Sequence, residues 1–210
     1  MIMLNRFFMT VLLAALVSVP VSAQQILEQF KSALIGSCVN LEYSYKAVSG
    51  TMISGSGTLC LQGDSFRMQG DGLEIWCDSK TRWTLDRAAG EMVVENVEDA
   101  PEGAAAADPA MLLGSLDTHF SVKSTSAGDG QTTINFEPAS GVLGITSLTA
   151  VLKPVQGGSP VLARAVAVMS DGTMTEFTFK SMAYSDRLPE ESFRFNMSEA
   201  DKSWIITDLR

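Results

Sequence analysis

One histidine, three cysteines and a scatter of carboxylates are the residues in this chain that could do chemistry, and their spacing supports little of it. His119 has no Cys, Asp or Glu at metal-ligand spacing and stands at the start of a strand-like segment, so it reads as a structural or solvent-facing residue. No G-x-S-x-G elbow, glycine-rich phosphate loop or H-E-x-x-H helix is present. Asp71, Asp78 and Asp171 sit in turn sequences, where an aspartate side chain serves its neighbouring backbone. Glu190 and Glu191 are adjacent in polar loop sequence and read as solvated. Cys38, Cys60 and Cys77 are odd in number and contain no C-x-x-C motif. If the first hairpin turns about Ser49, Cys38 falls opposite Cys60 and a cross-strand disulfide can form; three free or buried thiols are the equal alternative. The inventory points away from an enzyme and implies no metal or cofactor. Function is then to be sought in what an apolar surface could hold.

The segments that would build such a surface follow a leader. Arg6, the apolar run at 7–17 and the small residues Val21-Ser22-Ala23 make a secretory signal with a cut expected after Ala23. That divides the chain into a leader at 1–23 and one domain at 24–210, exported, with the periplasm as its expected compartment. No later stretch approaches the roughly 20 apolar residues of a membrane span, so stable membrane insertion is not expected. The chain has 210 residues with 46% apolar content and a formal net charge of −9. That is enough for one real core, and the charge argues against nucleic acid and against anionic lipid headgroups as partners.

Apolar periodicity supplies the elements. Residues 25–34 place Ile26, Leu27, Phe30 and Leu34 on one helical stripe, ending at Gly36. Val39, Leu41, Tyr43, Tyr45 and Ala47 then alternate with polar neighbours, as in a half-buried strand. Gly- and Ser-rich residues 49–57 read as a turn. Gly63-Asp64 and Asp71-Gly72 are two-residue hairpin turns, which fix Leu61 opposite Phe66, Leu59 opposite Met68, Met68 opposite Ile75 and Phe66 opposite Cys77. One face thus collects Leu59, Leu61, Phe66, Met68, Leu73, Ile75 and Cys77. An odd loop at 78–81 would add Trp83 and Leu85 to it, whereas an even loop would place them with Glu74 and Trp76; the odd loop is favoured here. After a strand at 91–97 and a small-residue linker at 98–108, Asp108-Pro109 caps a short helix carrying Met111, Leu112, Leu113 and Leu116. It is either a core helix or a mobile cover over an apolar cavity. Strand patterns resume at 119–123, 132–137, 147–153, 161–170 and 173–183, with Phe136 in the second and Phe177 and Phe179 sharing a face of the last. Phe193, Phe195 and Met197 alternate likewise, and 204–209 closes the chain. About eleven strands joined by short turns predict a mainly β (α+β) antiparallel meander.

The order of these features resembles the LolA family of periplasmic lipoprotein carriers over nearly the whole exported chain. The matching stretches are Gly-Asp-Ser-Phe-Arg-Met at 63–68, Ile-Trp-Cys-Asp-Ser-Lys-Thr-Arg-Trp at 75–83, the Pro-started apolar helix, Ser-Asp-Gly at 170–172, Phe-Arg-Phe at 193–195 and Thr-Asp-Leu-Arg at 207–210. The resemblance implies an incomplete antiparallel β-barrel with a helical lid, whose apolar concave face shelters the acyl chains of a lipoprotein. Leu41, Tyr43, Leu59, Leu61, Phe66, Met68 and Ile75 are then expected to line the cavity. Trp83, Leu85, Phe136, Phe177, Phe179, Phe193 and Phe195 complete that lining, and Met111, Leu112, Leu113 and Leu116 form the lid. It implies a monomer that takes acylated lipoproteins or lipid from an inner-membrane ABC-type lipoprotein-releasing complex to an outer-membrane acceptor. The alternative is a non-enzymatic envelope interaction module, or a glycolipid-binding protein of the same fold.

Overall fold

A computed structural model describes residues 22–97, 108–139 and 144–210. The expected leader lies almost wholly outside them, as does the linker at 98–108, of which Asp108 alone is described. Ser22 caps helix α1 (Ala23–Gly36) by accepting from the Gln25 N–H, and Ile26, Leu27 and Phe30 form its buried face. The helix leads into β1 (Cys38–Ser49), followed by β2 (Thr51–Gln62), β3 (Ser65–Gly70), β4 (Leu73–Asp78), β5 (Thr81–Asp86) and β6 (Glu91–Asn96). Helix α2 (Pro109–Gly114) separates these from β7 (Phe120–Gly128), β8 (Gln131–Pro138), β9 (Ile145–Lys153), β10 (Val161–Met169) and β11 (Met174–Ser185). Two short 3-10 turns, Glu190–Phe193 and Met197–Glu199, precede β12 (Ile205–Asp208).

The twelve strands of the described residues join one open sheet in the order β12-β6-β5-β4-β3-β2-β1-β11-β10-β9-β8-β7. It is an incomplete antiparallel barrel built from two meanders. They are sewn together where β1 pairs along β11, with a bulge between Glu42 and Tyr43. The last strand departs from the antiparallel expectation, because β12 runs parallel to β6. The expected registers of β2, β3 and β4 occur as written: Leu61 opposite Phe66, Leu59 opposite Met68, Met68 opposite Ile75 and Phe66 opposite Cys77. The Asp71-Gly72 turn has both residues at positive φ, as a two-residue hairpin with the right twist requires.

Three expectations are corrected. Residues 49–57 are not a turn: Gly50 alone reverses the chain, and the remainder is the first half of β2. The glycines there answer to crowding. A Cβ on Gly55 would strike the Asp71 carboxylate, which accepts from the Tyr45 hydroxyl, and one on Gly57 would strike the Gln69 carbonyl oxygen and approach the Tyr43 hydroxyl to 2.8 Å. The loop at 78–81 is even, with Trp76 opposite Trp83 and Glu74 beside Leu85. Asp78 closes it by accepting from the amide N–H groups of Lys80 and Thr81, and Ser79 takes positive φ. Trp83 and Leu85 therefore turn away from the face of Ile75 and Cys77. Finally, 193–197 is not a strand; its backbone closes 3-10 turns, and Phe193 and Phe195 pack on the same outer side as Trp83.

The reason for all these placements is that the sheet buries both faces. The inner core holds α1, α2 and the inward side chains of β1–β4 and β8–β11. A second cluster of Trp83, Leu85, Met92, Val94 and Phe195, flanked by Trp76 and Trp204, sits under the C-terminal segment on the outer face. At the 78–81 turn the apolar stripe changes sides, and the inner positions of β5 and β6 become polar except for Val93, with the Arg82 guanidinium paired to Glu95 at 2.6 Å. Gly57→Ala should cost about 1–3 kcal/mol by forcing a side chain into a filled space, while Gly36→Ala, with open space around it, should stay within about 0.5 kcal/mol. Urea denaturation of the two variants beside the parent measures the difference; equal stabilities would remove the crowding account of β2.

Candidate functional site

The inner face is continuous across the seam between the meanders. Tyr43 lies opposite Phe179 and Tyr45 opposite Phe177, and the four rings form a cluster with centroid separations of 6.2–6.4 Å. Leu41, Leu59, Leu61 and Phe66 extend it on one side and Phe136 on the other, all buried, with Met68 and Ile75 half-buried against it. Small side chains at Ala150, Ala165 and Ala167 on the inner face of β9 and β10 leave depth beside Phe177, which is fully buried. Of the residues expected to line a cavity, Trp83, Leu85, Phe193 and Phe195 are not brought to this face. Sequence periodicity did carry a signal for that separation. Trp76 is apolar at an otherwise polar position of its strand, and it belongs with Trp83, Phe195 and Trp204.

Two helices close the inner face. Leu112, Leu113 and Leu116 are buried in the inner core and Met111 is half-buried. A space of about 50 Å³ remains between α1, Leu61 and α2. The attachment of α2 is mostly apolar. Among the described residues its polar bonds stay within its own segment: Asp108 accepts from the Ala110 and Met111 N–H groups, and the Ser115 hydroxyl donates to the Met111 and Leu112 carbonyls. The adjoining turn adds one ion pair, Asp117 with Lys31 of α1 at 2.8 Å. The C-terminal end of α2 lies against the turn between β2 and β3, where a Cβ on Gly114 would stand 3.5 Å from the Gly63 carbonyl oxygen.

Asp108 is the buried acid of this region. Burial pushes its carboxyl above the ordinary aspartate range, against the opposing pull of the two N–H donors and, more weakly, of the Arg82 charge. That guanidinium is already committed to Glu95. The turn aspartates behave as read: Asp71 accepts from Ser56, Asp171 from Thr173, and Asp78 also pairs with Arg194. His119 is half-buried just ahead of β7, and its N–H donates to the Ser115 carbonyl. Among the described residues no group of three or more His, Cys, Asp or Glu could hold a metal ion, and no helix is long and apolar enough to cross a membrane. Cys38 and Cys60 share the outer face, but the turn at Gly50 sets Asn40 opposite Cys60, in place of the expected Cys38. Their Sγ atoms are nonetheless 2.9 Å apart. The buried Cys77 thiol donates to the Asp64 carbonyl, and burial pushes it up to about 11.

No protein-family model matches the sequence, and no curated protein is significantly similar to it. Among solved structures the chain is similar to a LolA superfamily protein from Nitrosomonas europaea, at 11% identity over 84% of this chain and 99% of that one, with a TM-score of 0.47. It is similar also to an outer membrane lipoprotein-sorting protein domain from Vibrio parahaemolyticus, at 11% identity over 82% and 97% of the two chains, with a TM-score of 0.47. A third is the lipoprotein LppX from Mycobacterium tuberculosis, at 10% identity over 80% and 97%, with a TM-score of 0.37.

A carboxyl whose proton is held more tightly in the folded than in the unfolded chain stabilises the fold in acid. The Asp108 contribution is complete below the ordinary aspartate value and is lost as pH rises through the folded one. Asp108→Asn keeps the acceptor that caps α2 and removes the charge. It should melt higher than the parent near neutral pH, with the gap closing on acidification toward about pH 4. Thermal unfolding of both proteins across that range measures it, and an Asn variant less stable at neutral pH would mean that the charged cap is the favoured form.

Proposed function

We propose that this chain is a carrier for acylated cargo, in which acyl chains of a lipoprotein, or of a lipid, take the place of α2 against the inner face. The observation that carries this reading is α2 with the turn after it: eight residues, 109–116, put Leu112, Leu113 and Leu116 into the inner core, and among the described residues the polar ties of this stretch to the rest of the fold lie just beyond it, in the Lys31–Asp117 pair and the Ala139 N–H bond to the His119 carbonyl. Such a helix is costly to lift into water and cheap to exchange. Three buried leucines at about 1.5–3 kcal/mol each are worth roughly 5–9 kcal/mol. A long acyl chain at about 0.8 kcal/mol per methylene resists entering water by roughly 10 kcal/mol. The two terms are comparable, so lifting is offset only when a chain of that kind takes the vacated place.

In this reading Leu41, Tyr43, Leu59, Leu61, Phe66, Met68, Ile75, Phe136, Phe177 and Phe179 line the opened cavity, and Met111, Leu112, Leu113 and Leu116 are the lid. The carrier works as a periplasmic monomer after loss of its leader, takes cargo from an ABC-type releasing complex of the inner membrane, and passes it to an outer-membrane acceptor. The reading assigns no catalytic step.

The test ties α2 down. Asp64→Cys and Gly114→Cys, placed where the helix meets the β2–β3 turn, are combined with Ala at positions 38, 60 and 77 and joined by oxidation. Binding of a fluorescent fatty-acyl ligand should be lost in the bridged form and return on reduction, with the melting temperature of the bridged form at or above that of the reduced one. Equal binding in both forms, or no binding by the reduced form, overturns the proposal.

A further inference from the structure

On the outer face of the sheet, opposite the two helices, a cavity of about 490 Å³ opens along β1–β4 and the end of β11. Asn40, Glu42, Cys60, Arg67, Trp76 and Ser181 are among the residues that line it. Cys60 is half-buried in its wall, and behind it Cys38 is completely buried. The two thiols face each other diagonally across β1 and β2, both reduced, with their Sγ atoms 2.9 Å apart. A disulfide bond is about 2.0 Å long, so small side-chain rotations suffice to join them. Arg67 is the register partner of Cys60 on β3. Its guanidinium lies over Trp76, 5.2 Å from the ring centroid, and 5.9 Å from that of Phe193. Among the described residues it forms no ion pair, and its Nε has no hydrogen-bond partner. Exposure thus separates the pair into one sulfur that an outside molecule can reach and one that can reach only its neighbour, beside an uncommitted positive charge.

We propose that Cys60 and Cys38 form a thiol–disulfide exchange site for small disulfides that carry carboxylates, with Arg67 receiving the carboxylate. The Cys60 thiolate attacks one sulfur of the incoming disulfide. That S–S bond breaks, a mixed disulfide forms on Cys60, and the expelled thiolate takes up a proton from water, replacing the one Cys60 released. Cys38 then loses its proton and attacks the Cys60 Sγ; the Cys38–Cys60 bond forms and the second thiol departs protonated. Two protein thiols are oxidised, giving up two electrons and two protons, and one external disulfide is reduced to two thiols. Burial pushes the Cys38 thiol up to about 11, and the Cys60 thiol beside it contributes to that rise. Capping Cys60 removes that contribution, which orders the steps as written. Cys77 takes no part: it is buried and its thiol is bonded to the Asp64 carbonyl.

The experiment begins from the dithiothreitol-reduced full protein and adds glutathione disulfide or, as a cationic counterpart, cystamine. Intact mass and peptide mapping are followed with time. The parent should lose two thiols to a Cys38–Cys60 bridge without accumulating an adduct, and dithiothreitol should restore both under native conditions. Cys38→Ala, with Cys38→Ser as a second version should the first fold poorly, should trap one glutathione on Cys60. Arg67→Gln should slow the reaction with glutathione disulfide several-fold and leave cystamine unaffected. A stable glutathione adduct on the parent, an unreactive Cys60 in both Cys38 variants, or modification of Cys77 at the same rate would overturn the exchange site. Equal slowing of both reagents by Arg67→Gln would overturn the carboxylate preference.

Discussion

The backbone ladder between β1 and β11 is the interaction on which the rest of this structure depends. It joins Cys38 to Ser185 at one end and Val48 to Met174 at the other, and thereby turns two separate meanders into one curved surface. The aromatic cluster of Tyr43, Tyr45, Phe177 and Phe179 exists only across that ladder. Neither half alone would hold it, since each would present two of the four rings at a bare edge. The helices in turn need the joined surface. Phe30 of α1 and Leu112 of α2 belong to a core that spans both meanders.

A sheet of this breadth must cover two faces, and the chain does so by moving its apolar positions from one side to the other. Up to Cys77 the inward residues are apolar; after the two-residue turn at Ser79-Lys80 the outward ones are. The polar inner positions of β5 and β6 hold the Arg82–Glu95 pair, and the Arg82 charge reaches Asp108 at the N-terminus of α2. The C-terminal segment meets the transferred stripe with Phe195 and Trp204. Gln62 fastens that segment to the end of β2 by donating to the Leu188 carbonyl and accepting from its N–H.

What could be read from residues alone was governed by the range of the interaction that decides each feature. Gly63-Asp64 and Asp71-Gly72 settle their registers within a few residues, and the pairs from Leu59 to Cys77 follow from them without knowledge of anything distant. Asp108-Pro109 announces its helix for the same reason. Gly55 and Gly57 could not be interpreted so, because the groups that exclude a side chain there, the Asp71 carboxylate and the Gln69 carbonyl, arrive from a neighbouring strand. The even loop at 78–81 was hidden by a different cause. Continuity of one apolar face is a sound rule for a sheet with one core, and the existence of a second core rests on Phe195 and Trp204, more than a hundred residues away. Trp76 was the local clue, a large apolar ring in a position that one-sided alternation would give to a polar residue.

The placement of the strand that completes the seam also sets an order of events in time. The partner of β1 begins at residue 174, so a chain emerging from its N-terminus has formed the hairpins of β1 to β6 long before anything can cover the free edge of β1. Closing so long a loop adds little to its entropic cost, which grows only with the logarithm of length, but it makes the contacts highly non-local, and such topologies fold slowly. During that interval Tyr43 and Tyr45 stand beside unpaired N–H and C=O groups, a template for wrong partners. The half-sheet of β1 to β6 is therefore the vulnerable species of this protein until residue 174 and its successors have been added.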